Sequence, residues 1–394
     1  MTHLPFAPRL KALRPSLIRQ VFGAAPPGCL NMGLGMPDLP VPEVLVQAAR
    51  AEVDTGRAPY SPNPGWWPLR QAVAKMMATW RRQGAQVGDW IEPEGVIVTT
   101  GVEEGLFVAL SAFCGPGDEI LVPDPGFPAY AMIAACVGAG VRTYACGAEQ
   151  GFAPTLEALE AAWGPKVKAV VINSPGNPTG TVASAEELEK IAGFLAERQV
   201  PYVSDEIYGR YTFDGPFVSV SAFSDFGVVL SGLSKTANMM GWRLGWMLAP
   251  AASAPTLTRV HQAVCTCAST VSQAVAQAAA EGLAAGHGPV VDAVEANVAI
   301  FADRRRRVLG ALAAHGLSHA PVQGAFYVFV DVRPWLKNGE DDLGLCMRML
   351  DEQRLIAIPG QGFGPAGQGW VRLATTIDNV EEGVARLARA LGIG

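Results

Sequence analysis

Short β-branched runs alternate with longer helical patterns from residue 96 onward. The runs predict seven strands: Val96–Thr100, Glu119–Pro123, Val141–Cys146, Ala169–Asn173, Pro201–Ser204, Val228–Ser231 and Leu244–Leu248. Helical patterns fall between them, at Leu106–Phe113, Leu156–Trp163 and Ala185–Arg198. Such alternation is typical of an α/β fold with a mostly parallel sheet that is sandwiched by helices.

The pattern changes after an alanine-rich helix predicted over Thr270–Ala285. The later elements are a long helix over Pro289–Ala314, a strand over Phe326–Val332, a helix over Leu343–Arg354, a strand over Trp370–Ala374 and a final helix. They predict a smaller α+β domain. We therefore expect a large domain over residues 44–285 and a small domain built from residues 1–43 and 286–394.

Three local patterns refine these helices. Ser184 followed by Glu187 predicts a capping box, in which each side chain bonds the backbone of the other residue. Asp378 with Glu381 predicts the same start for the last helix. The four consecutive arginines at 304–307 predict a solvated helix face.

Composition limits the classes of function. A chain of 394 residues is long enough for two domains, and its formal charge of −6 argues against a nucleic-acid partner. The longest apolar run, near Ala131 to Val141, is about half of the roughly 18–20 residues that span a bilayer, so no membrane partner is expected.

The cysteines and histidines suggest neither a disulfide framework nor a metal centre. Seven cysteines, an odd number, contain no Cys-x-x-Cys pair, and no secretory segment follows the start, which favours a reducing, cytoplasmic location. His287 lies far from the His315 and His319 pair. We therefore predict no metal site.

The N-terminal segment permits a second reading. No acidic residue precedes Asp38, and the basic residues in that stretch are Arg9, Lys11, Arg14 and Arg19. This is a feature of transit peptides. Prolines at 5, 8 and 15 interrupt an amphipathic helix, and this favours an ordinary N-terminal arm.

Lys235 is the most informative residue of the chain. It lies in the run Ser231–Gly245, where Ser234 precedes it and Arg243 follows eight positions later. An amine must lose its proton to attack an aldehyde, and a neighbouring cation with partial burial lowers its pKa. Arg243 and the hydroxyl of Ser234 are suited to a phosphate. The run predicts pyridoxal phosphate, although an isolated Lys-Arg pair is more often a surface turn.

Further candidates follow other predicted strands. Gly101, Val102 and Glu103 begin a helix after a strand, as a phosphate site requires, but the segment lacks the third glycine of a dinucleotide fingerprint. Asn177 lies in a turn with two prolines and two glycines, and Asp205 ends the next strand. A carboxylate there can keep a pyridinium nitrogen protonated.

Asn177, Asp205, Tyr208, Lys235 and Arg243 occur in this order along the chain. Together they resemble the class I/II aminotransferases, which are fold type I pyridoxal-phosphate enzymes, and the resemblance runs from about residue 35 to residue 372. It implies a seven-stranded sheet in the large domain and the transfer of an amino group from an L-amino acid to a 2-oxo acid by a ping-pong mechanism.

The resemblance implies roles for the cofactor residues. Lys235 would bond the cofactor, Asp205 would face its ring nitrogen, and Tyr208 with Asn177 would reach its phenolate oxygen. The phosphate would be held by a set comprising Gly101, the amides of Val102 and Glu103, Ser234 and Arg243.

The remaining roles concern the cofactor ring, the partner subunit and the substrate. Phe127 would stack on the ring, unless it only packs in the core. Tyr60 would reach the phosphate of the neighbouring subunit in a homodimer. Arg372 would bind the substrate α-carboxylate, with Asn177 and a backbone contact from Gly35.

Three features depart from the family pattern. Gly232 stands where many relatives place a phosphate-binding hydroxyl. Glu103 occupies a position where some aspartate-using relatives have a lysine, and its charge would repel a dicarboxylic side chain. Trp66 and Trp67 add apolar surface near the predicted entrance or simply pack. These features favour a neutral aliphatic or aromatic donor, with 2-oxoglutarate or pyruvate as acceptor.

Two alternatives stay open on the sequence. Carbon–sulfur lyases and cyclopropane-carboxylate-forming synthases share these motifs. The effector module of a transcription regulator keeps the same site, but it needs a DNA-binding domain, and only about 30 residues precede Gly35.

Overall fold

The computed structural model describes residues 4–13 and 15–393. Its α-helices are α1 (Leu17–Ala24), α2 (Glu43–Asp54), α3 (Trp67–Arg82), α4 (Val102–Phe113), α5 (Ala129–Val137), α6 (Leu156–Ala161), α7 (Ala185–Glu197), α8 (Leu233–Thr236), α9 (Ala254–Cys265), α10 (Thr270–Ala285), α11 (Pro289–Ala314), α12 (Asp342–Gln353) and α13 (Val380–Leu391). Arg14, one of the four basic residues of the N-terminal segment, lies outside the described residues.

The strands are short and mostly buried. They are β1 (Leu30–Asn31), β2 (Val96–Thr99), β3 (Glu119–Asp124), β4 (Gly140–Ala145), β5 (Val167–Asn173), β6 (Tyr202–Asp205), β7 (Gly227–Gly232), β8 (Gly245–Leu248), β9 (Tyr327–Asp331), β10 (Leu355–Ile356), β11 (Ile358–Pro359) and β12 (Trp370–Ala374).

Seven of these strands form the central sheet. Their order is β2-β8-β7-β6-β5-β3-β4, and every neighbouring pair is parallel except those of β8, which runs antiparallel to β2 and β7. Successive residues of one strand face opposite cores: Val96 and Val98 join one apolar cluster and Ile97 joins the other. The predicted α/β fold, with a mostly parallel sheet between helices, is confirmed.

A separate apolar core surrounds a small antiparallel sheet of order β11-β12-β9. The N-terminal segment joins this part of the molecule, because Leu30 and Asn31 of β1 pair in parallel with Leu355 and Ile356 of β10. Separate cores support the predicted division into residues 44–285 and the two flanking parts, which we keep as a proposal.

Helix α11 links the two cores. Val290 and Val294, in its first turns, belong to the main core, whereas Val308 and Leu312, near its end, belong to the small one. Phe301, halfway along, is fully buried in an aromatic cluster between them. A boundary drawn at residue 286 therefore precedes a helix that contributes to both parts.

The capping box predicted at Ser184 is wrong in part, and the one predicted at Asp378 is wrong. The Ser184 hydroxyl accepts the Glu187 N–H at 3.2 Å, but the Glu187 carboxylate instead accepts the N–H of Leu156 at 2.8 Å. Asp378 does not cap the last helix: its carboxylate and that of Glu381 bind Arg307, at 2.8 and 2.6 Å. In each case the carboxylate binds a residue that is distant in the sequence instead of the start of its own helix.

The prediction of a solvated arginine face is wrong for Arg304. This side chain is buried, and its guanidinium donates two hydrogen bonds to Asp38, at 2.8 and 3.2 Å. A buried guanidinium needs a carboxylate because an unpaired buried charge is costly. The pair ties α11 to the segment that follows Gly35.

Several elements were not predicted from the sequence. Helix α5 is so rich in apolar residues that no periodic polar face marks it, and β1, β10 and β11 each have only two residues. All seven cysteines are free. Among the described residues, no helix combines the length and the apolar character needed to span a membrane.

Candidate active site

The central strands deliver polar residues to one edge of the sheet. Asn173 and Asp205 end the parallel strands β5 and β6 side by side, and Gly232 ends β7 on the next position of the sheet. Parallel strands place their carboxyl ends together, and ligands of open α/β sheets bind at that edge.

Lys235 lies in the short helix α8, directly after β7. Its Nζ donates a hydrogen bond to the carbonyl oxygen of Gly35, at 2.8 Å, across 200 residues of chain. Burial lowers the pKa of Lys235 to about 8, with help from the positive charges of Arg372 and Arg243. The lysine is therefore more readily deprotonated than one in solvent, as a nucleophilic amine requires.

Asp205 is a buried carboxylate with few donors. Its Oδ2 accepts the hydroxyl of Tyr130 at 2.9 Å, and its Oδ1 accepts the N–H of Ile207 at 3.4 Å. Burial raises the pKa of Asp205 to about 6, although the Tyr130 bond and the charge of Lys235 oppose the shift. Keeping this buried carboxylate ionised is unfavourable in free energy, and a buried cation beside it would offset that penalty.

Tyr208 lies one turn beyond Asp205. Its hydroxyl shares a 2.9 Å hydrogen bond with the hydroxyl of Tyr327, and the two rings meet edge to face. Burial raises the pKa of Tyr208 well above its usual range, so the phenol stays neutral. It can therefore donate one hydrogen bond.

Arg372 enters the site from β12. Its guanidinium donates to Asn177 Oδ1 at 2.8 Å and to the carbonyl of Gly33, while its buried Nε has no partner. The guanidinium lies 4.4 Å from the centre of the Tyr327 ring and 4.7 Å from that of Phe363. Burial lowers the pKa of Arg372. A guanidinium nevertheless stays charged in proteins. The structure thus holds a cation in an apolar setting, and its Nε–H is still able to donate a hydrogen bond.

Gly101 and Arg243 form a cradle at the start of α4. Gly101 has a φ of +82°, and a side chain there would bring its Cβ within 2.6 Å of the Arg243 guanidinium. Val102 and Glu103 are the first residues of α4, whose free N–H groups attract an anion. Ser234 is buried nearby in α8.

The departure at Gly232 has a packing reason. A Cβ at this position would come within 2.8 Å of the Gly245 Cα on the neighbouring strand. The two glycines let β7 and β8 approach closely at the end of the sheet. A hydroxyl-bearing residue would not fit this packing.

The other predicted residues differ in exposure. Phe127 packs against the apolar core and meets Tyr130 edge to face at 5.8 Å. Tyr60 is 86% exposed and lies on the surface of this single chain. Trp66 packs against the main core, whereas Trp67 is 42% exposed, with the guanidinium of Arg70 lying 5.0 Å from its ring centre.

Sequence reasoning missed two site residues. Tyr130 binds Asp205 directly, and its position three residues after Phe127 at a helix start was the available signal. Tyr327 binds Tyr208, stacks near Arg372 and lies so close to Gly35 that a Cβ there would be 1.9 Å from its hydroxyl. No motif marks Tyr327, because only its packing in the aromatic cluster with Tyr208 and Phe326 brings it to the site.

Comparison with known proteins identifies the class. Residues 27–387 match the family model described as "Aminotransferase class I and II". The aromatic-amino-acid aminotransferase 2 of Thermococcus litoralis is 31% identical over 396 residues, covering 97% of each chain. The aspartate aminotransferase of Thermotoga maritima is 32% identical over 361 residues, covering 91% of this chain and 90% of that protein.

The fold gives the same result. A solved structure of a single mutant of Thermus thermophilus aspartate aminotransferase superposes with a TM-score of 0.88 at 30% identity, covering 98% of this chain and all of the other. The chain belongs to the class I and II aminotransferase family. It is a pyridoxal-phosphate-dependent aminotransferase, and these matches favour neither the lyase nor the regulator alternative.

The residues present fit pyridoxal phosphate. Lys235 supplies an amine with a lowered pKa, Asp205 a buried carboxylate, and Gly101 with Arg243 a cradle in which a Cβ would displace the guanidinium. When bound, pyridoxal phosphate supplies an aldehyde carbon for the amine and a ring that withdraws electrons from the reacting bond.

Proposed function

We propose that this aminotransferase moves the amino group of a neutral aliphatic or aromatic L-amino acid to 2-oxoglutarate or pyruvate by a ping-pong mechanism. The observation that carries the transfer between an amino acid and an oxo acid is Arg372, a buried guanidinium whose Nε is without a partner beside Asn177. A planar guanidinium binds a carboxylate through two parallel hydrogen bonds, and both donor and acceptor have an α-carboxylate.

Arg372 and Lys235 would divide the work on the donor. Arg372, with Asn177 and the Gly35 backbone, would fix the carboxylate so that the Cα–H bond is held in the reactive orientation. The Nζ of Lys235, freed from the cofactor, would take the proton from the donor Cα and deliver it to the carbon that was the aldehyde carbon of the cofactor. Its lowered pKa supports this role at neutral to mildly alkaline pH.

The other site residues would hold the cofactor. Asp205 would keep the ring nitrogen protonated, Tyr208 and Asn177 would bind the phenolate oxygen, and Phe127 would stack on the ring. The phosphate would be held by the set Gly101, Val102, Glu103, Ser234 and Arg243. Tyr60 would complete the phosphate site of a second copy, and its 86% exposure supports a role outside its own chain.

The preference for a neutral donor rests on charge. Glu103 is exposed at the rim of the phosphate cradle and contributes a negative charge there. This charge favours a donor without a second carboxylate, and of the two acceptors it favours pyruvate over 2-oxoglutarate, which carries a second carboxylate and would enter the same site. Trp66 supports the preference less, because it packs against the main core.

The test is the absorption spectrum of the holoenzyme before and after each of the twenty amino acids, with no acceptor present. Conversion of the cofactor band by leucine-like or aromatic amino acids, and its return with 2-oxoglutarate or pyruvate, is the expected result. Lys235→Ala is the control and should show no turnover. Conversion by aspartate and glutamate alone would contradict the donor class, and catalytic release of ammonia would favour a lyase.

A further inference from the structure

A second cluster of reactive side chains lies behind the phosphate cradle. Helices α4 and α9 bring together Glu104, His261 and Cys265, whose possible ligand atoms all lie within 4.8 Å of one another. His261 Nδ1 is 2.8 Å from Glu104 Oε1 and 3.7 Å from Cys265 Sγ. None of the roles assigned above uses these residues.

The spacing of the cluster follows from helix geometry. His261 and Cys265 are four residues apart on α9, so their side chains lie on one face, one turn apart. Glu104 lies in the first turn of α4, which packs against that face. Its second oxygen, Oε2, accepts the N–H of Thr100 at 3.0 Å, so the carboxylate is already fixed in position.

We propose that Glu104, His261 and Cys265 form a site for a zinc ion. Zinc accepts imidazole, thiolate and carboxylate ligands at about 2.0–2.3 Å in a tetrahedron, which places ligand atoms roughly 3.3–3.6 Å apart. The 3.7 Å separation of Nδ1 and Sγ is close to this value. Because Sγ also lies 4.0 Å from Nε2, the Cys265 side chain must turn toward the Nδ1 side of the ring for both atoms to bind one ion. The carboxylate oxygen, 2.8 Å from Nδ1, must move about half an ångström away from it.

The donor set and its exposure favour zinc over harder ions. Magnesium and calcium bind oxygen ligands, whereas one nitrogen, one sulfur and one oxygen suit a borderline-soft cation. His261 is fully buried, but Cys265 and Glu104 are partly exposed, which gives an ion access and leaves the fourth position to water. The ion would displace the thiol proton into solvent, and His261 would bind through Nδ1 with its ring proton on Nε2.

The proposed site differs from the sequence-based expectation of no metal, which stays a prediction. Spacing along the chain could not reveal it, because Glu104 comes from a helix 157 residues away from His261. Since Glu104 also holds the N–H of Thr100, next to Gly101, bound zinc would rigidify the start of the phosphate cradle. The inference does not depend on which amino acid the enzyme uses.

The experiment is equilibrium dialysis of the chelator-treated holoenzyme against buffered Zn²⁺, with Co²⁺ as a spectroscopic probe. We expect one ion per chain at micromolar free metal and the visible bands of tetrahedral Co²⁺, which are separate from the absorption of the cofactor. Cys265→Ser and Glu104→Gln should each weaken binding by about 100-fold or more, since each removes a ligand.

Cys267→Ser is the matched control, because Cys267 lies two residues beyond Cys265 and outside the cluster. It should bind zinc like the parent. Circular dichroism of each metal-free variant establishes that it is folded. A third variant, His261→Ala, removes a fully buried side chain. If it does not fold, Cys265→Ser still tests the site. Absence of saturable binding, or unchanged affinity in Cys265→Ser, would overturn the proposal.

Discussion

At the scale of single residues, the site keeps charged groups where burial opposes them. Asp205 is 5% exposed and Arg372 is 2% exposed, and each has fewer partners than its charge demands. Such groups reduce the stability of the empty protein and are retained where a ligand supplies the missing partner.

Asp205→Asn should therefore stabilise the cofactor-free protein while reducing activity. Burial raises the pKa of Asp205 from 3.8 to about 6, so the native state binds more protons than the unfolded state between these values. Wild-type stability then falls as pH rises through this window. The substitution removes this loss, so the free energy of unfolding should rise by up to about 3 kcal/mol above pH 6.

Urea unfolding of both cofactor-free proteins at pH 4 and pH 7 measures this effect. The gain should be larger at pH 7, and transamination by the variant should fall by orders of magnitude. Equal gains at both values would show that the charge of Asp205 is not the cause.

Arg372→Lys should separate substrate binding from cofactor binding. An ammonium keeps the charge but loses the planar pair of donors, and a lost charge-assisted hydrogen bond costs about 1.5–3 kcal/mol. We expect the KM for the donor to rise by roughly 10- to 100-fold with an unchanged cofactor spectrum. A spectrum shifted to that of free cofactor would mean that Arg372 supports the cofactor instead.

At the scale of elements, the function depends on the ends of strands and the starts of helices. Helix α4 begins at Gly101, and α8 begins directly after β7. The first turn of α4 has free N–H groups, and the Arg243 guanidinium lies beside Gly101, whose φ of +82° suits glycine.

Gly101→Ala should damage this element specifically. With a φ of +82° and a Cβ 2.6 Å from the Arg243 guanidinium, the alanine costs about 1–3 kcal/mol of strain and displaces Arg243. We expect cofactor affinity to fall by at least about 10-fold, measured by fluorescence titration of the cofactor-free protein.

Gly193→Ala is the control for this substitution. Gly193 lies inside α7, and a Cβ there meets no heavy atom within 4 Å. Alanine should raise stability by up to about 1 kcal/mol and leave cofactor affinity unchanged. An equal loss of affinity in both variants would refute the role of the Gly101 cradle.

At the scale of the whole molecule, the site joins distant parts of the chain. Gly35 meets Lys235, Arg372 meets Asn177, and Arg304 of α11 holds Asp38. In the proposed dimer, the exposed Tyr60 would in addition reach the site of the second copy.

Hybrid dimers of Lys235→Ala and Tyr60→Ala subunits test that sharing. If Tyr60 acts across the interface, one site of the hybrid has an intact lysine and an intact tyrosine. Hybrid dimers separated from the two homodimers after co-expression should then have about half of the wild-type activity, as the symmetry of the dimer requires. Tyr60→Ala dimers alone are the control and should be weak. A hybrid no more active than this control would place Tyr60 in its own site.

The sequence by itself determined the alternation that makes the central sheet and the motifs around Lys235, Asp205, Asn177 and Arg243. These are local patterns, in which residue type, spacing and strand period carry the information. The family, the cofactor and the fold class follow from them.

Only the tertiary structure decided which partners those residues have. Tyr130 reaches Asp205, Tyr327 reaches Tyr208, and the carboxylates expected as helix caps bind elsewhere. The cluster of Glu104, His261 and Cys265 likewise exists only where two helices pack. A side chain's partner depends on which distant segments meet, and this is a property of the packed core, not of spacing along the chain.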